Sequence, residues 1–300
     1  MTQIDIGTFV CIFIPLLVSA NAGVSGPDFT APQIHSLKTD LLVQNAGRRD
    51  APVIVVVQIN PEKTSYCTMA KKTWVRYADK HGYNLHWVTD RRAGISPKMQ
   101  KYEETLRRMY QVPDGTLMLL TDCDVVVTNG DISMESVWDS QAKKHTAMLL
   151  AKDPAWKSYG IPINSGMIMM RNGKWNRRLF AEILAHGPVS GKWTQGFLLD
   201  QPILTKLLIE SGELFVLHRA CCFICFWCTP STVMGTPGEN LVIVNDRVMN
   251  SIKRYIIFLS SKDSKELEWK VGDWTAHITG SSHSDRVRLT KEVLSLSHAY

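Results

Sequence analysis

Dense runs of basic residues are absent from this sequence. Its 34 lysines and arginines outnumber its 28 acidic residues only slightly, and they are spread over 300 residues. Because nucleic-acid-binding surfaces need clustered Lys and Arg, we expect no nucleic-acid partner. The mild net charge of +6 instead suits anionic small molecules or proximity to a membrane. Repeat periods and low-complexity tracts are also missing, which argues against solenoid and fibrous proteins.

Cysteine is scarce, and the Asn-x-Ser/Thr acceptor of N-glycosylation is absent. Seven cysteines permit disulfides without forming a disulfide-rich scaffold, and their pairing cannot be deduced from spacing. The hydrophobic share of 45% and the charged share of 21% exclude an intrinsically disordered chain. The length allows one large domain or two modest ones.

The amino terminus lacks positive charge, since no Lys or Arg precedes Lys38. The segment Ile6 to Ala20 is almost wholly apolar but shorter than the about 20 residues of a transmembrane helix. It fits the core of a signal peptide, and Ala20-Asn21-Ala22 supplies a small-residue cleavage pattern. Pro15 and the missing basic residues leave a buried segment of the fold as the alternative. We expect residues 1–22 to be a signal peptide or short signal anchor, which places the remainder in the secretory pathway.

The rest of the chain divides into a polar segment and a globular region. Residues 23–50 contain Pro27, Pro32 and Gly47 and predict a stem or linker, while residues 51–300 form the globular domain. Three strands alternate with helices at its start: VIVVVQI from Val53, Asn84 to Thr89, and Thr116 to Leu120. Helices are expected from Thr64 or Ser65 to His81 and from Ser96-Pro97 to Met109. This alternation predicts an α/β fold with a mostly parallel central sheet flanked by helices.

Two carboxylates, Asp122 and Asp124, follow the third strand in the segment LLTDCDVVV. Side chains at positions i and i+2 share a face only where the strand continues through both positions. If the chain turns at the end of the strand instead, the turn can let both side chains approach one cation there. Carboxylate oxygens suit Mn²⁺ or Mg²⁺. An Asp-x-Asp pair also occurs in ordinary turns, so this pair alone does not establish a metal site. We expect both side chains to be exposed.

Other patterns accompany the Asp pair in a fixed order. They are Tyr77-Ala78 with His81-Gly82-Tyr83, Lys101, Asn164-Ser165-Gly166 before Arg171-Asn172, Asp200-Gln201, and His277 with Gly280 three residues later. In this order and spacing the chain, from about Val53 to Gly280, resembles the GT-A glycosyltransferases. It is most similar to the fungal and plant galactosyl-, mannosyl- and xylosyltransferase family, which retains anomeric configuration.

The resemblance implies a site for a nucleotide-diphosphate sugar and a divalent ion. Asp122, Asp124 and His277 would hold Mn²⁺ (or Mg²⁺), and Lys101 would meet the diphosphate; Lys101 could equally be a solvated helix charge. The remaining donor-binding positions would be Gln58, Ile59 and Asn60 for the nucleotide, Cys123 within the Asp pair, and Asn164, Ser165 and Gly166 for the sugar. Asp200 and Gln201 would be the catalytic pair near the anomeric carbon, although Asp200-Gln201-Pro202 also fits a helix start.

The same resemblance implies an activity and a location. The expected reaction moves a hexose or pentose from a UDP- or GDP-sugar to a hydroxyl of a glycan or glycoconjugate, with retention. Retention could proceed through a covalent intermediate on Asp200 or by departure and attack on one face. The expected location is the Golgi membrane with a lumenal catalytic domain, or the exterior if the signal is cleaved.

Some features depart from the family or fit other functions. Cys123 occupies a position where a small residue is usual, and Cys222, Cys225 and Cys228 stand in the apolar segment ACCFICFWC without a complementary cluster of metal ligands. That segment could hold buried cysteines, disulfides or an apolar contact surface. A nucleotidyltransferase would need a glycine-rich basic loop near the first strand, where this chain has Gln58-Ile59-Asn60-Pro61. The alternative that stays open is a catalytically inactive nucleotide-sugar-binding or lectin-like secreted module.

Overall fold

The computed structural model describes residues 50–58, 65–90, 96–153, 163–186, 200–218, 230–235, 240–244, 246–249, 251–254, 268–279 and 282–297. The expected signal segment at residues 1–22, residues 23–49 of the stem and the cysteine-rich segment at 220–228 therefore lie outside the described residues. None of the helices within these ranges is long and apolar enough to cross a membrane.

The central sheet of the described region has six strands. Their spatial order is β2 (Asn84–Val88), β1 (Val53–Val57), β3 (Leu117–Asp122), β6 (Ile163–Arg171), β5 (Met148–Lys152) and β9 (Leu241–Val244). The pairs β1–β2, β1–β3 and β5–β9 are parallel, and only β6 runs against its neighbours. The predicted mostly parallel α/β sheet is thus confirmed.

Two smaller sheets flank the central one in the described region. One has the order β10 (Ser251–Arg254), β11 (Thr275–Thr279) and β4 (Val125–Val127), and the other pairs β7 (Leu214–His218) with β8 (Pro230–Gly235). The helices are α1 (Ser65–His81), α2 (Pro97–Met109), α3 (Met134–Gln141), α4 (Lys174–His186), α5 (Asp200–Glu210), α6 (Asp246–Met249) and α7 (His283–Leu296).

Both faces of the central sheet are buried, as the continuous apolar strand sequences require. Along β1, Val53, Val55 and Val57 pack in one core with α2, α4 and α5, while Ile54 and Val56 pack in a second core with α1 and α3. The period-two alternation of side chains sends successive residues to opposite cores. Helices therefore cover the sheet on both sides.

The predicted elements differ from the observed ones mainly at their ends. Helix α1 begins at Ser65 and stops before Gly82, whose φ of +71° is the left-handed conformation that ends helices. The third strand was predicted to end at Leu120, but β3 continues through Asp122 because its pairing with β1 extends to Val57 opposite Asp122. Asp122 is therefore the last residue of a strand rather than part of the loop beyond it.

Candidate active site

The two aspartates approach each other because the chain turns between them. Asp122 ends β3, Cys123 and Asp124 form a turn, and β4 begins at Val125. The turn interrupts the strand alternation that would otherwise set the spacing of the two side chains. Ligand atoms of Asp122, Asp124 and His277 all lie within 4.8 Å of one another. The structure thus brings together the three residues expected to bind a metal.

His277 arrives from a distant part of the chain through the small sheet. Strand β11 pairs antiparallel with β4, which places His277 opposite Val125. The Ile278 amide donates to the Asp124 carbonyl at 2.9 Å and extends this pairing into the turn. As a result, His277 Nε2 lies 3.3 Å from Asp124 Oδ1.

The chemistry of this group fits a divalent cation. Mn²⁺ can bind two carboxylates together with an imidazole, and Mg²⁺ binds carboxylates. His277 Nδ1 is buried and makes no hydrogen bond to any residue in the described ranges. A buried ring nitrogen without a partner is costly unless something else binds to it. Asp122, Asp124 and His277 are therefore suitable ligands for a divalent ion.

The two carboxyl groups differ in their electrostatic surroundings. Burial and the charges of Asp124 and Asp200 raise the pKa of Asp122, and Lys101 only partly opposes them. Burial would also raise the pKa of Asp124, but His277 and Arg286 more than offset it, so that this pKa is lowered. The expectation of two exposed side chains is wrong, because those of Asp122 and Asp124 are only 24% and 13% exposed. Lys101 and Arg286 lie against them.

Gly166 leaves room for the metal-site histidine. A Cβ atom at this position would overlap the His277 ring and would lie 2.9 Å from Asn164 Oδ1. Asn164 Oδ1 already accepts a hydrogen bond from the Gly166 amide at 2.8 Å. In the described structure, the group that approaches Gly166 closely is thus the imidazole of His277.

Lys101 is a buried cation between two carboxylates. Its Nζ lies 2.6 Å from Asp200 Oδ2 and 3.1 Å from Asp122 Oδ1, and it donates to the Ser165 carbonyl at 3.0 Å. Burial alone would lower its pKa, but the two neighbouring carboxylates raise it well above its usual value, so the side chain is charged. The alternative that Lys101 is a solvated helix charge is wrong, because its side chain is only 3% exposed.

Asp200 begins α5 and faces the same cation. Besides Lys101, its Oδ2 accepts from Ser165 Oγ at 2.6 Å and from the Tyr102 hydroxyl at 3.3 Å. Burial would raise the pKa of Asp200, but Lys101 and the Ser165 hydrogen bond lower it. Asp200 is therefore an ionised carboxylate with one oxygen surrounded by donors.

Gln201 is fixed by a residue that the sequence did not single out. Its Nε2 donates to Asp153 Oδ2 and to the Ile163 carbonyl, both at 2.9 Å. Asn164 Nδ2 also reaches Asp153 Oδ2, at 3.5 Å. Asp153 is buried just beyond the end of β5. The sequence pattern that could have pointed to Asp153 is an acidic residue directly after an apolar strand. Its role in fixing Gln201 depends on contacts across the edge of the sheet.

The expected nucleotide-binding segment lies partly in the described region. Gln58 follows β1. Its backbone amide donates to the Val88 carbonyl at 2.9 Å, and its side-chain Oε1 accepts from Trp87 Nε1 at 3.2 Å. Ile59 and Asn60 lie outside the described residues. The structure therefore positions Gln58 at the carboxyl end of β1, next to β2.

Cys123 forms a disulfide with Cys67, a pairing across 56 residues. Cys67 lies in the first turn of α1, so the bond ties this helix to the turn between the two aspartates. The side chain of Cys123 is thereby used in a cross-link, and any contact with a donor would involve its backbone. Sequence spacing gave no signal for this pair.

A second basic residue at the site was also missed. Arg286 in α7 places Nη1 2.6 Å from Asp124 Oδ2 and lies over the Tyr66 ring, with Cζ 5.5 Å from its centroid. In the sequence, Arg286 is one of several charges in an amphipathic helix. Only the packing of α7 beside α1 distinguishes it from the others.

Comparison with known proteins shows similarity in fold. No protein-family model matches the chain, and no curated protein matches it either. A crystal structure of a glycosyltransferase involved in glycosylation of the major capsid of PBCV-1 matches 81% of this chain and 99% of its own, at 15% identity and a TM-score of 0.52.

Two further solved structures share less of the fold. The glycosyltransferase GlyE of Streptococcus pneumoniae TIGR4 matches 83% of this chain and 65% of its own, at 11% identity and a TM-score of 0.44. Mouse xyloside xylosyltransferase 1 matches 77% and 98%, at 8% identity and a TM-score of 0.40. The similarity to the PBCV-1 protein shows that this chain has a glycosyltransferase-like α/β fold.

Proposed function

We propose that this protein is a metal-dependent retaining glycosyltransferase. It moves a hexose or pentose from a UDP- or GDP-sugar to a hydroxyl of a glycan or glycoconjugate. The observation that carries the proposal is the convergence of Asp122, Asp124 and His277 at the edge of the sheet, beside the buried Lys101–Asp200 pair. Ligands in α/β folds collect at this edge, beyond the carboxyl ends of the parallel strands. The glycosyltransferase-like fold supports the same activity.

Asp122, Asp124 and His277 would hold Mn²⁺ or Mg²⁺. A bound cation would neutralise the charge that develops on the departing diphosphate. Lys101 would meet the diphosphate, and in the described arrangement its Nζ contacts Asp122 and Asp200. Its charge holds these two carboxylates in place and keeps Asp200 ionised. Fixed charges of this kind need no reorganisation during the reaction.

The transfer exchanges one bond at the anomeric carbon for another. The bond from this carbon to the diphosphate oxygen breaks, and its electron pair leaves with the nucleoside diphosphate. The acceptor hydroxyl oxygen forms the new bond and gives up its proton to the departing phosphate oxygen or to water. Asp200 either attacks the carbon as the diphosphate leaves and is then displaced by the acceptor oxygen, or it stabilises the positive charge of the carbon while departure and attack occur on one face. Gln201, held by Asp153, positions the sugar.

The activity test measures turnover of the donor by the full chain. UDP- and GDP-sugars are incubated with the protein and Mn²⁺, and release of nucleoside diphosphate is measured with and without candidate glycan acceptors. We expect metal-dependent release with one class of donor and an α-linked product. Binding of donor without release under every acceptor condition would instead support an inactive nucleotide-sugar-binding module.

The metal assignment is tested with Asp122→Asn and Asp124→Asn. Asparagine keeps the shape of each side chain, whereas alanine would remove the contact of Asp122 with the buried Lys101 or that of Asp124 with Arg286. We expect the Mn²⁺-dependent turnover rate of each variant to fall by at least about 100-fold. This is the upper end of the losses in activity seen when residues that support metal ligands are replaced. Full activity in either variant would contradict the assignment.

We further propose that the domain acts in the lumen of the secretory pathway, at the Golgi membrane or after secretion. The apolar segment from Ile6 to Ala20 and the Cys67–Cys123 disulfide support this, because disulfides persist in oxidising compartments. The test is protease protection of the tagged full chain in intact microsomes, with sequencing of the mature amino terminus. Digestion of the domain in sealed vesicles would contradict this location.

A further inference from the structure

Arg286 contacts the same carboxylate that would bind the cation. Its Nη1 lies 2.6 Å from Asp124 Oδ2, while the other oxygen of Asp124 faces His277 Nε2 at 3.3 Å. The Arg286 side chain is only 17% exposed, so water screens its charge weakly. A divalent cation on Asp124 would therefore be placed beside a fixed positive charge.

The position of Arg286 is fixed by its helix. Leu289 and Val293, further along α7, are buried against Ala276 and Ile278 of β11 and Ala70 of α1. Ser282 caps the start of the helix by accepting from the Asp285 amide at 3.2 Å. The guanidinium can change partners by rotating its side chain, but its backbone remains close to Asp124.

The charges around the site favour joint binding of a cation and a diphosphate. Three carboxylates, Asp122, Asp124 and Asp200, face three cationic side chains: Lys101 and Arg286 contact them directly, and the charge of Lys98 acts on Asp122 and Asp200. A divalent cation alone would therefore leave this group with an excess of two positive charges beside Arg286. A cation together with the two negative charges of a nucleotide-sugar diphosphate adds no net charge.

We propose that Arg286 couples the two binding events. It opposes binding of the divalent cation alone by competing for Asp124, and it pairs with the diphosphate of the donor once the cation occupies the site. A planar guanidinium suits both partners, since it binds carboxylates and phosphates in the same geometry. The inference rests on the proposed function, because it takes the donor to be a nucleotide-diphosphate sugar.

The coupling is measured by two titrations of the full chain. In the first, Mn²⁺ alone is titrated into the wild type and Arg286→Met, which keeps an apolar side chain beside Tyr66 and removes the charge. In the second, UDP and GDP are titrated in the presence of saturating Mn²⁺. For Arg286→Met we expect Mn²⁺ alone to bind about fivefold more tightly and the diphosphate about tenfold more weakly, within the usual range of coupling between sites.

Matched variants separate this role from a general effect of charge or folding. Arg288→Met removes a charge from the same helix, but Arg288 is 53% exposed and pairs with Asp285 and Glu292, so both affinities should stay unchanged. Arg286→Gln is a second uncharged variant, whose amide can still bond to Asp124. It must shift both affinities in the same directions as Arg286→Met.

The outcomes distinguish this role from the proposed function. If the wild type binds Mn²⁺ and a nucleoside diphosphate, but the two uncharged variants bind Mn²⁺ alone no more tightly, the competition is overturned. Unchanged diphosphate affinity in these variants overturns the pairing with phosphate. A folded wild type that binds neither Mn²⁺ nor any nucleoside diphosphate overturns the proposed function, and this role with it.

Discussion

At the level of single residues, the candidate site consists of buried and partly buried polar side chains that contact one another. Lys101 joins Asp122 to Asp200, Asp153 fixes Gln201, and Gly166 leaves space for His277. The contacts of Lys101 and of Asp153 each pair a charge or an amide that would be costly to bury alone. We therefore expect some single substitutions in the site to change mainly metal affinity and others to change mainly the free energy of unfolding.

Gly166→Ala should weaken metal binding. The added methyl group overlaps the His277 ring, so the ring must leave the position in which it faces Asp124. We expect Mn²⁺ affinity, measured by calorimetric titration, to fall by about tenfold, the size seen when the support of a metal ligand is disturbed. Gly173→Ala is the control, because its nearest neighbour would be the Arg171 carbonyl at an ordinary 3.9 Å. Equal Mn²⁺ affinity in both variants would show that the ring has room to shift.

Asp200→Asn should destabilise the protein in a pH-dependent way. The pKa of Asp200 is lowered in the folded protein, so its ionised form stabilises the fold above the unfolded pKa of about 3.9. The difference in unfolding free energy from wild type should be about 3 kcal/mol at pH 7. It should remain constant down to about pH 5 and shrink as the pH falls through the folded-state pKa of Asp200.

Urea unfolding between pH 7 and pH 3 measures this difference. Asp114→Asn is the control, since Asp114 pairs with Arg177 at the surface and its side chain is 70% exposed. That variant should cost at most about 1 kcal/mol at pH 7. A difference for Asp200→Asn that grows on acidification would contradict the assigned ionisation.

At the scale of elements, the active-site turn is held by secondary structures distant in sequence. Strand β11 supplies His277, and α1 is joined to the turn by the Cys67–Cys123 disulfide. Helix α1 is itself fixed by Trp74, whose ring nitrogen donates to the Val125 carbonyl at 2.8 Å. The aromatic residues Tyr77 and Tyr83 are structural, because their hydroxyls donate to the Ile132 carbonyl and to the Glu135 carboxylate.

Removal of the disulfide should reduce both stability and metal affinity. The bond closes a loop with a sequence separation of 56 residues, for which chain entropy predicts about 4 kcal/mol of stabilisation. We expect the double variant Cys67→Ala/Cys123→Ala to unfold at lower urea concentration and to bind Mn²⁺ more weakly. Dithiothreitol should destabilise the wild type more than the variant. Identical unfolding of the two under non-reducing conditions would argue against the bond.

At the scale of the whole molecule, donor binding should stabilise the folded state. A ligand that binds only this state adds about 2.7 kcal/mol when its concentration is 100 times its Kd. For a domain of this size, that corresponds to a rise in Tm of about 5–10 °C. We expect the rise with a UDP- or GDP-sugar plus Mn²⁺ and a smaller one with either component alone. Asp124→Asn, tested in parallel, should lose the combined effect. If the rise in Tm with donor and Mn²⁺ were equal in Asp124→Asn and in the wild type, the donor would bind at another site.

Sequence patterns alone were enough to predict the α/β class, the main elements up to β3 and the candidate ligands Asp122 and Asp124. These features depend on local information: buried β-branched strands, helix ends at Gly82 and Pro97, and a polar pair beyond an apolar strand. The pattern resemblance also singled out His277, Lys101 and Asp200. Local periodicity could not show that these residues meet, because their separation along the chain exceeds 20 residues in every pairing with Asp122.

Roles that depend on burial and on distant neighbours could be assigned only from the folded structure. The exposed Asp pair expected from sequence is partly covered by Lys101 and Arg286, which come from two different helices. The partners of Asp153 and the pairing of Cys67 with Cys123 likewise follow from contacts across the sheet edge. Such contacts leave no periodic signal, because they depend on how the elements pack and on the low dielectric in which the charges then interact.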